Sequence, residues 1–186
     1  MQENWTHKMS ITVTHNYTDQ AEPEFSAEKL VEVQRIINLF PEGKQKSALM
    51  RILHIAEEEF GGWLSVPTMN YVARLLNIQP IEVYEVATFY TMFNIEKPGK
   101  VVLEVCRTGP CMLVGSDQII EYIENKLDIK VGQTSADGMF TLKTAECLGA
   151  CGYGPMLQCG KHYHEHLTPA KVDELLDTLR KEHSDK

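Results

Sequence analysis

The sequence predicts an α+β chain in two unlike parts: a four-helix N-terminal part, then a layer of mixed strands and helices. Three observations carry this. All five cysteines fall between Cys106 and Cys159, and none stands earlier. Apolar residues before Asn94 recur at helical spacing, with breaks at Pro41, Gly61-Gly62 and Pro80. After Lys97-Pro98-Gly99 the run Val101-Val102-Leu103-Glu104-Val105 turns β-branched, as a largely buried strand does.

The elements follow in order. Residues 1–25 are polar and read as a flexible segment. Ser26 offers an N-cap to a helix carrying Leu30, Val31, Val33, Ile36, Ile37 and Phe40, which Pro41 ends. A second helix covers Gln45 to Phe60, with Leu49, Ile52, Leu53 and Ala56 inward and Glu57–Glu59 as a solvated face. Ser65 and Pro67 open a third, with Met69, Val72, Ala73 and Leu76 on its apolar side. Pro80 opens a fourth, with Val83, Val86, Ala87 and Tyr90 on one stripe and Phe89 and Phe93 four apart. The helical domain is thus expected over 26–96.

The second domain, 97–186, starts with the Val101–Val105 strand. Ser116 to Lys126 reads as an amphipathic helix through Ile119, Ile120, Ile123 and Leu127. Asp137-Gly138 turns into a strand at Met139–Thr144, and Pro155–Cys159 with His162–His166 forms a hairpin around Gly160-Lys161. Thr168 caps a last helix with Pro169 at its first position and Val172, Leu175, Leu176 and Leu179 inside. Strand–helix–strand–strand–helix is the order of a thioredoxin-like α/β domain.

Composition limits the function. The 186 residues are 43% hydrophobic and 24% charged, so the chain is globular and long enough for a core without disulfide staples. A net charge of −8 and the absence of a basic stripe argue against a nucleic-acid partner. No apolar run approaches the roughly 20 residues of a spanning helix, so no direct membrane insertion is expected. Met1–Asp19 shows no secretory or mitochondrial targeting pattern, which makes a reducing, cytoplasmic location the expectation.

In that setting cysteines are metal ligands or redox centres more often than disulfides. Cys106-Arg-Thr-Gly-Pro-Cys111 has four residues between its thiols, and Cys147-Leu-Gly-Ala-Cys151 has three. Each pair follows an expected strand, and neither is the Cys-x-x-Cys of a dithiol catalyst. Zinc favours one tetrahedral point, usually from tight knuckles. A 2Fe–2S cluster takes two thiolates on each iron and tolerates wider pairs, and loop N–H groups stabilise its charge. Gly109, Gly149, Gly152 and Gly154 are placed to offer such groups. Iron–sulfur, zinc and unligated structural cysteines all remain open from spacing alone.

From Leu30 to Leu179 the chain resembles the small 2Fe–2S subunit of the NADH-dehydrogenase module of respiratory complex I. That family includes related subunits of NAD-linked hydrogenases and formate dehydrogenases. The residues carrying the resemblance are Glu85-Val-Ala-Thr-Phe-Tyr-Thr-Met-Phe-Asn94, the Cys106–Cys111 loop, and Glu146-Cys-Leu-Gly-Ala-Cys151 followed by Pro155-Met156. It implies one 2Fe–2S cluster bound by Cys106, Cys111, Cys147 and Cys151, and no catalytic side chain. It also implies a flavoprotein partner that holds FMN and oxidises NADH, other hydrophilic-arm subunits, and a place in the peripheral arm on the cytoplasmic face of the cell membrane. Gly109 stands where many members have threonine or serine, and Gly152-Tyr153-Gly154 is richer in glycine than usual.

Other features have quieter readings. Cys159 has no counterpart in the ligand pattern and reads as a half-buried strand residue. Arg107 either softens the cluster's charge or is a solvated loop residue. His162, His164 and His166 alternate along a strand and would share one face, which suits a second metal less well than a chance run. The stripe Phe89, Tyr90, Phe93 is helix core in part, with the rest available to the second domain or to the flavoprotein, so the helical domain is expected to act as a docking clamp.

Overall fold

The computed structural model describes residues 23–184. The segment expected to be flexible therefore lies outside the described residues except for 23–25. Among these, Phe25 is packed: only 4% exposed, it stacks on Phe60 and its N–H donates to the Tyr71 hydroxyl at 3.1 Å.

Four helices come first. They are α1 (Ala27–Ile37), α2 (Leu49–Glu59), α3 (Val66–Leu76) and α4 (Pro80–Phe89), with a 3-10 turn Gln45–Ala48 leading into α2. Local chemistry sets their starts. The Ser26 hydroxyl accepts the Lys29 N–H at 3.4 Å, and that of Ser65 accepts the Thr68 N–H at 3.2 Å. Gln79 and Glu82 form a reciprocal capping box at α4, which opens on Pro80. Val33, Ile36, Ile52, Leu53, Val72, Leu76 and Val83 meet in one core. Each such side chain contributes about 1.5–3 kcal/mol by leaving water.

Tertiary packing overrides the sequence expectation at three places. Val31 is 72% exposed because α1 buries only Val33 and Ile36. The fourth helix stops at Phe89, so Tyr90 and Phe93 do not extend its stripe. Phe93 turns back to bury itself beside the His54 ring at 4.8 Å, while Phe89 and Tyr90 stay exposed. Glu57 is not on a solvated face: half-buried, its carboxylate accepts the Asn94 N–H at 2.7 Å. Burial pushes that carboxyl above its ordinary value, against the opposing pull of the hydrogen bond and of Lys143.

An α/β region follows, with β1 (Val101–Cys106), α5 (Pro110–Leu113), α6 (Ser116–Leu127), β2 (Phe140–Ala145), β3 (Leu157–Cys159), β4 (His162–His164) and α7 (Pro169–Ser184). The open sheet has the order β2-β1-β3-β4. β1 and β2 run parallel, joined through α6, while β3 is antiparallel to both of its neighbours. This mixed sheet with helices packed on it is the thioredoxin-like layer. Leu103, Val105, Phe140, Leu142 and Leu157 meet Ile119 and Ile123 of α6 and Val172, Leu176 and Leu179 of α7 in a second core. No helix among the described residues is long and apolar enough to cross a membrane.

The turn into β2 is tied to α7. Asp137 accepts the Ser135 hydroxyl at 2.5 Å, the Arg180 guanidinium at 2.7 Å and the Met139 N–H at 3.0 Å. These donors, Ser135 foremost, pull its pKa down to about 2. A depressed carboxylate stabilises the fold fully above its unfolded value near 4 and loses that contribution as pH falls through its folded value. Solvent at this exposed pair reduces the effect to about 1 kcal/mol. Thermal unfolding followed from pH 5 to pH 2 should therefore show a smaller acid loss in Asp137→Asn than in the parent chain.

Candidate metal centre

Parallel pairing delivers two loops to one sheet edge. Cys106 is the last residue of β1, in register with Ala145, the last of β2, and Cys147 follows two residues later. Side chains gathered beyond the carboxyl ends of parallel strands are where such sheets place ligands. Cys111 is the second residue of α5, and Cys151 opens a 3-10 turn, Cys151–Tyr153. The loops are anchored from below. The Cys106 N–H donates to the Met156 carbonyl and the Arg107 N–H to that of Ala145, both at 3.1 Å. The Tyr163 hydroxyl of β4 donates to the Leu148 carbonyl at 2.8 Å, and the Thr108 hydroxyl reaches the Glu146 carboxylate at 3.5 Å.

The site is half sunk. Cys106 and Cys111 are buried with Met156, flanked by Leu148 and Ala150, whereas Cys147 and Cys151 face solvent. The four thiols nevertheless sense one another. Burial first, then the hydrogen bond and charge of Cys106, then the charges of Cys151 and Cys147, push the Cys111 thiol up to about 11. Such a thiol stays protonated near neutrality, so loading the site with a cationic metal centre releases its proton.

Among the described residues, no set of three or more His, Cys, Asp or Glu side chains closes on a single ion-sized point. Four sulfurs around one zinc would have to approach it to about 2.3 Å. The donor set, with one thiol pair on an apolar floor and the other on a solvent-facing loop, fits a 2Fe–2S core, to which sulfurs bind two per iron.

Two glycines there meet different needs, a positive φ at Gly109 and close packing at Gly154. Gly109 caps α5 with φ 48° and ψ −116°, a backbone that side-chain-bearing residues rarely adopt. At Gly154 an added Cβ would sit 3.2 Å from Cys111 Sγ and 3.0 Å from Val114 Cγ2. Gly154→Ala must displace one or both, at about 1–3 kcal/mol. Melting temperature and metal content should both fall in that variant. Of the glycines expected to serve sulfur, Gly149 does so directly, its N–H donating to Cys147 Sγ at 3.3 Å.

The remaining candidates lie elsewhere. Cys159 is half-buried on β3, opposite Leu103, and burial pushes its thiol up. Arg107 is exposed. The hairpin is shorter than the sequence suggests. His162 and His164 are on β4, but His166 takes a left-handed backbone (φ 49°) and its ring lies against Tyr153, so the three do not share one strand face. Burial and the neighbouring His162 hold His164 below the ordinary imidazole value. Sequence reasoning missed the link from Glu57 through Asn94 to Lys143, although the helix signature that starts at Glu85 ends on that asparagine.

Comparison with known proteins adds to this geometry. The family model for thioredoxin-like 2Fe-2S ferredoxins matches residues 33–180. An NADH-quinone oxidoreductase subunit of Rickettsia conorii is 43% identical over 156 residues, spanning 84% of this chain and 93% of that protein. The mitochondrial NADH dehydrogenase (ubiquinone) flavoprotein 2 of Dictyostelium discoideum is 43% identical over 157 residues, 84% of this chain and 64% of its own length. Among solved structures, NAD+-reducing NiFe-hydrogenase in the air-oxidised state superposes with a TM-score of 0.63 at 18% identity. It covers 73% of this chain and 23% of that one, a likeness of fold alone.

Proposed function

Because the chain belongs to the thioredoxin-like 2Fe-2S ferredoxin family, we propose that it is the electron-transfer subunit of an NADH:quinone oxidoreductase, with Cys106, Cys111, Cys147 and Cys151 as ligands of one 2Fe–2S cluster. The observation that carries this reading is the delivery of two cysteine loops to one edge by the parallel strands β1 and β2. The bound cluster supplies one-electron exchange. The chain's own contribution is to fix it and to tune it. Cys106 and Cys111 seat it on the apolar floor of Met156, and the Gly149 N–H donates to a ligand sulfur.

The hydride chemistry belongs to a flavoprotein partner that holds FMN and oxidises NADH. No side chain here acts as acid, base or nucleophile. The chain divides in this reading near 96–97, because the two apolar cores share no residue. Around the thiols stand Met112, Leu113, Val114 and Tyr153, all at least half exposed, with Leu113 at 89%. An apolar rim of that kind beside a redox centre marks a docking face for the flavoprotein. The assembly lies in the peripheral arm, on the cytoplasmic face. Adding NADH to the chain with its flavoprotein should bleach the cluster's visible absorption, and NADH with the chain alone should not. Bleaching without the flavoprotein would overturn the reading.

A further inference from the structure

The helix signature's last residue, Asn94, sits where the helical bundle meets the α/β sheet, and every polar group it has is used. Its N–H donates to Glu57 at 2.7 Å and its carbonyl accepts the Leu64 N–H at 2.7 Å. Its side-chain amide donates to the Gly62 carbonyl at 3.1 Å, and its side-chain oxygen accepts from Lys143 Nζ at 2.9 Å. Asn94 thus ties together the end of α2, the turn before α3 and the chain after α4. Lys143 comes from the other side of the junction. It is on β2, and its ammonium also donates to the Thr91 carbonyl at 2.9 Å and lies 3.6 Å from Glu104 of β1.

Lys143 is held on three sides and only 21% exposed in its side chain, so this is a fixed contact between two separate cores. A second link across the junction, the ion pair Lys161–Glu58 at 3.1 Å, is far more exposed, at 83% and 63%. Exposed pairs of that kind contribute little. Beside the joint runs an open groove of about 1900 Å³ lined by residues of both parts, among them His54, Glu57, Glu104 and Lys161. Apolar packing therefore does not fill the junction, and directional hydrogen bonds fix its angle.

We propose that Asn94 and Lys143 are positioning residues that hold the helical bundle at one orientation to the cluster-bearing sheet. The exposed Phe89 and Ile81 of α4 and the Leu113–Tyr153 rim are then offered to the flavoprotein at one fixed relative orientation. This rests on the docking reading above. Pre-alignment removes an ordering cost from association: if only a tenth of molecules have the competent angle, apparent affinity falls about tenfold.

The test uses the full cluster-loaded chain with Lys143→Met, which keeps the stem and removes the donor, and Lys143→Arg, which restores one. Small-angle scattering reads the spread of orientations, titration against the flavoprotein reads affinity, and the reduced-state EPR spectrum reports the cluster. In Lys143→Met the expected result is a broadened distance distribution and roughly tenfold weaker binding, with the EPR spectrum unchanged. Lys143→Arg is expected to recover at least part of both losses. Unchanged scattering in Lys143→Met overturns the joint, and changed scattering with unchanged affinity overturns its role in docking. A parent chain that binds no flavoprotein overturns the functional reading instead, whatever the scattering shows.

Discussion

Replacing any one of Cys106, Cys111, Cys147 or Cys151 with serine is expected to strip the chain of its cluster, while Cys159→Ser keeps it. The two outcomes separate on geometry. Four thiols gather beyond the carboxyl ends of β1 and β2, and the fifth lies back along the neighbouring β3, opposite Leu103. Serine conserves size but gives iron a poor donor, and three sulfurs leave one iron short of a ligand. The losses should differ in kind. At buried Cys111, serine also leaves a hydroxyl on an apolar floor, which costs about 1–3 kcal/mol when unpaired. At exposed Cys151 the fold should survive with its melting temperature nearly that of the metal-free parent. Iron and acid-labile sulfide assays on the five variants check this. A colourless Cys159→Ser, or a fully loaded Cys147→Ser, would mean that the ligand set is wrong.

Charging the rim is expected to have the next largest effect. Leu113 is 89% exposed on the short helix that carries Cys111. A side chain that free makes almost no contribution to the fold, so Leu113→Asp should leave melting temperature and visible spectrum where they were. Its cost falls on the interface. Burying an unpaired carboxylate where leucine should pack costs about 2 kcal/mol or more at a central position, about a thirtyfold loss of affinity for the flavoprotein. Titration of the cluster-loaded variant against that flavoprotein measures it. Unchanged affinity would place the docking face elsewhere.

Much of this was legible because the signals are local. Ser26, Ser65, Pro80 and Thr168 each mark a helix start, and in every case the structure places the helix within a residue or two. The Thr168 hydroxyl accepts the Lys171 N–H at 3.3 Å, as a cap should. The two cysteine pairs were equally plain, since their spacing is written along the chain. That they face one another depends on the parallel register of β1 and β2, which no local spacing contains.

The misreadings share that cause. Phe89, Tyr90 and Phe93 have helical spacing, yet Tyr90 leaves the helix with an extended backbone, and Phe93 buries itself by a turn. Glu57 belongs to a charged run whose neighbours are solvated, and only the returning Asn94 separates it from them. His166 keeps the alternation of His162 and His164, but the strand ends first. The four-residue α5 and the 3-10 turn at Cys151 are too short for any periodicity to reveal. These are long-range outcomes, in which tertiary contacts override a valid local pattern.

Metal analysis with EPR on anaerobically purified protein tests most directly whether this chain holds one 2Fe–2S cluster. The expected result is about two iron and two acid-labile sulfide per chain, silent when oxidised and showing one S = 1/2 signal when reduced. Colourless protein with one zinc per chain and no sulfide would contradict it, and would make the same four thiols a structural zinc site.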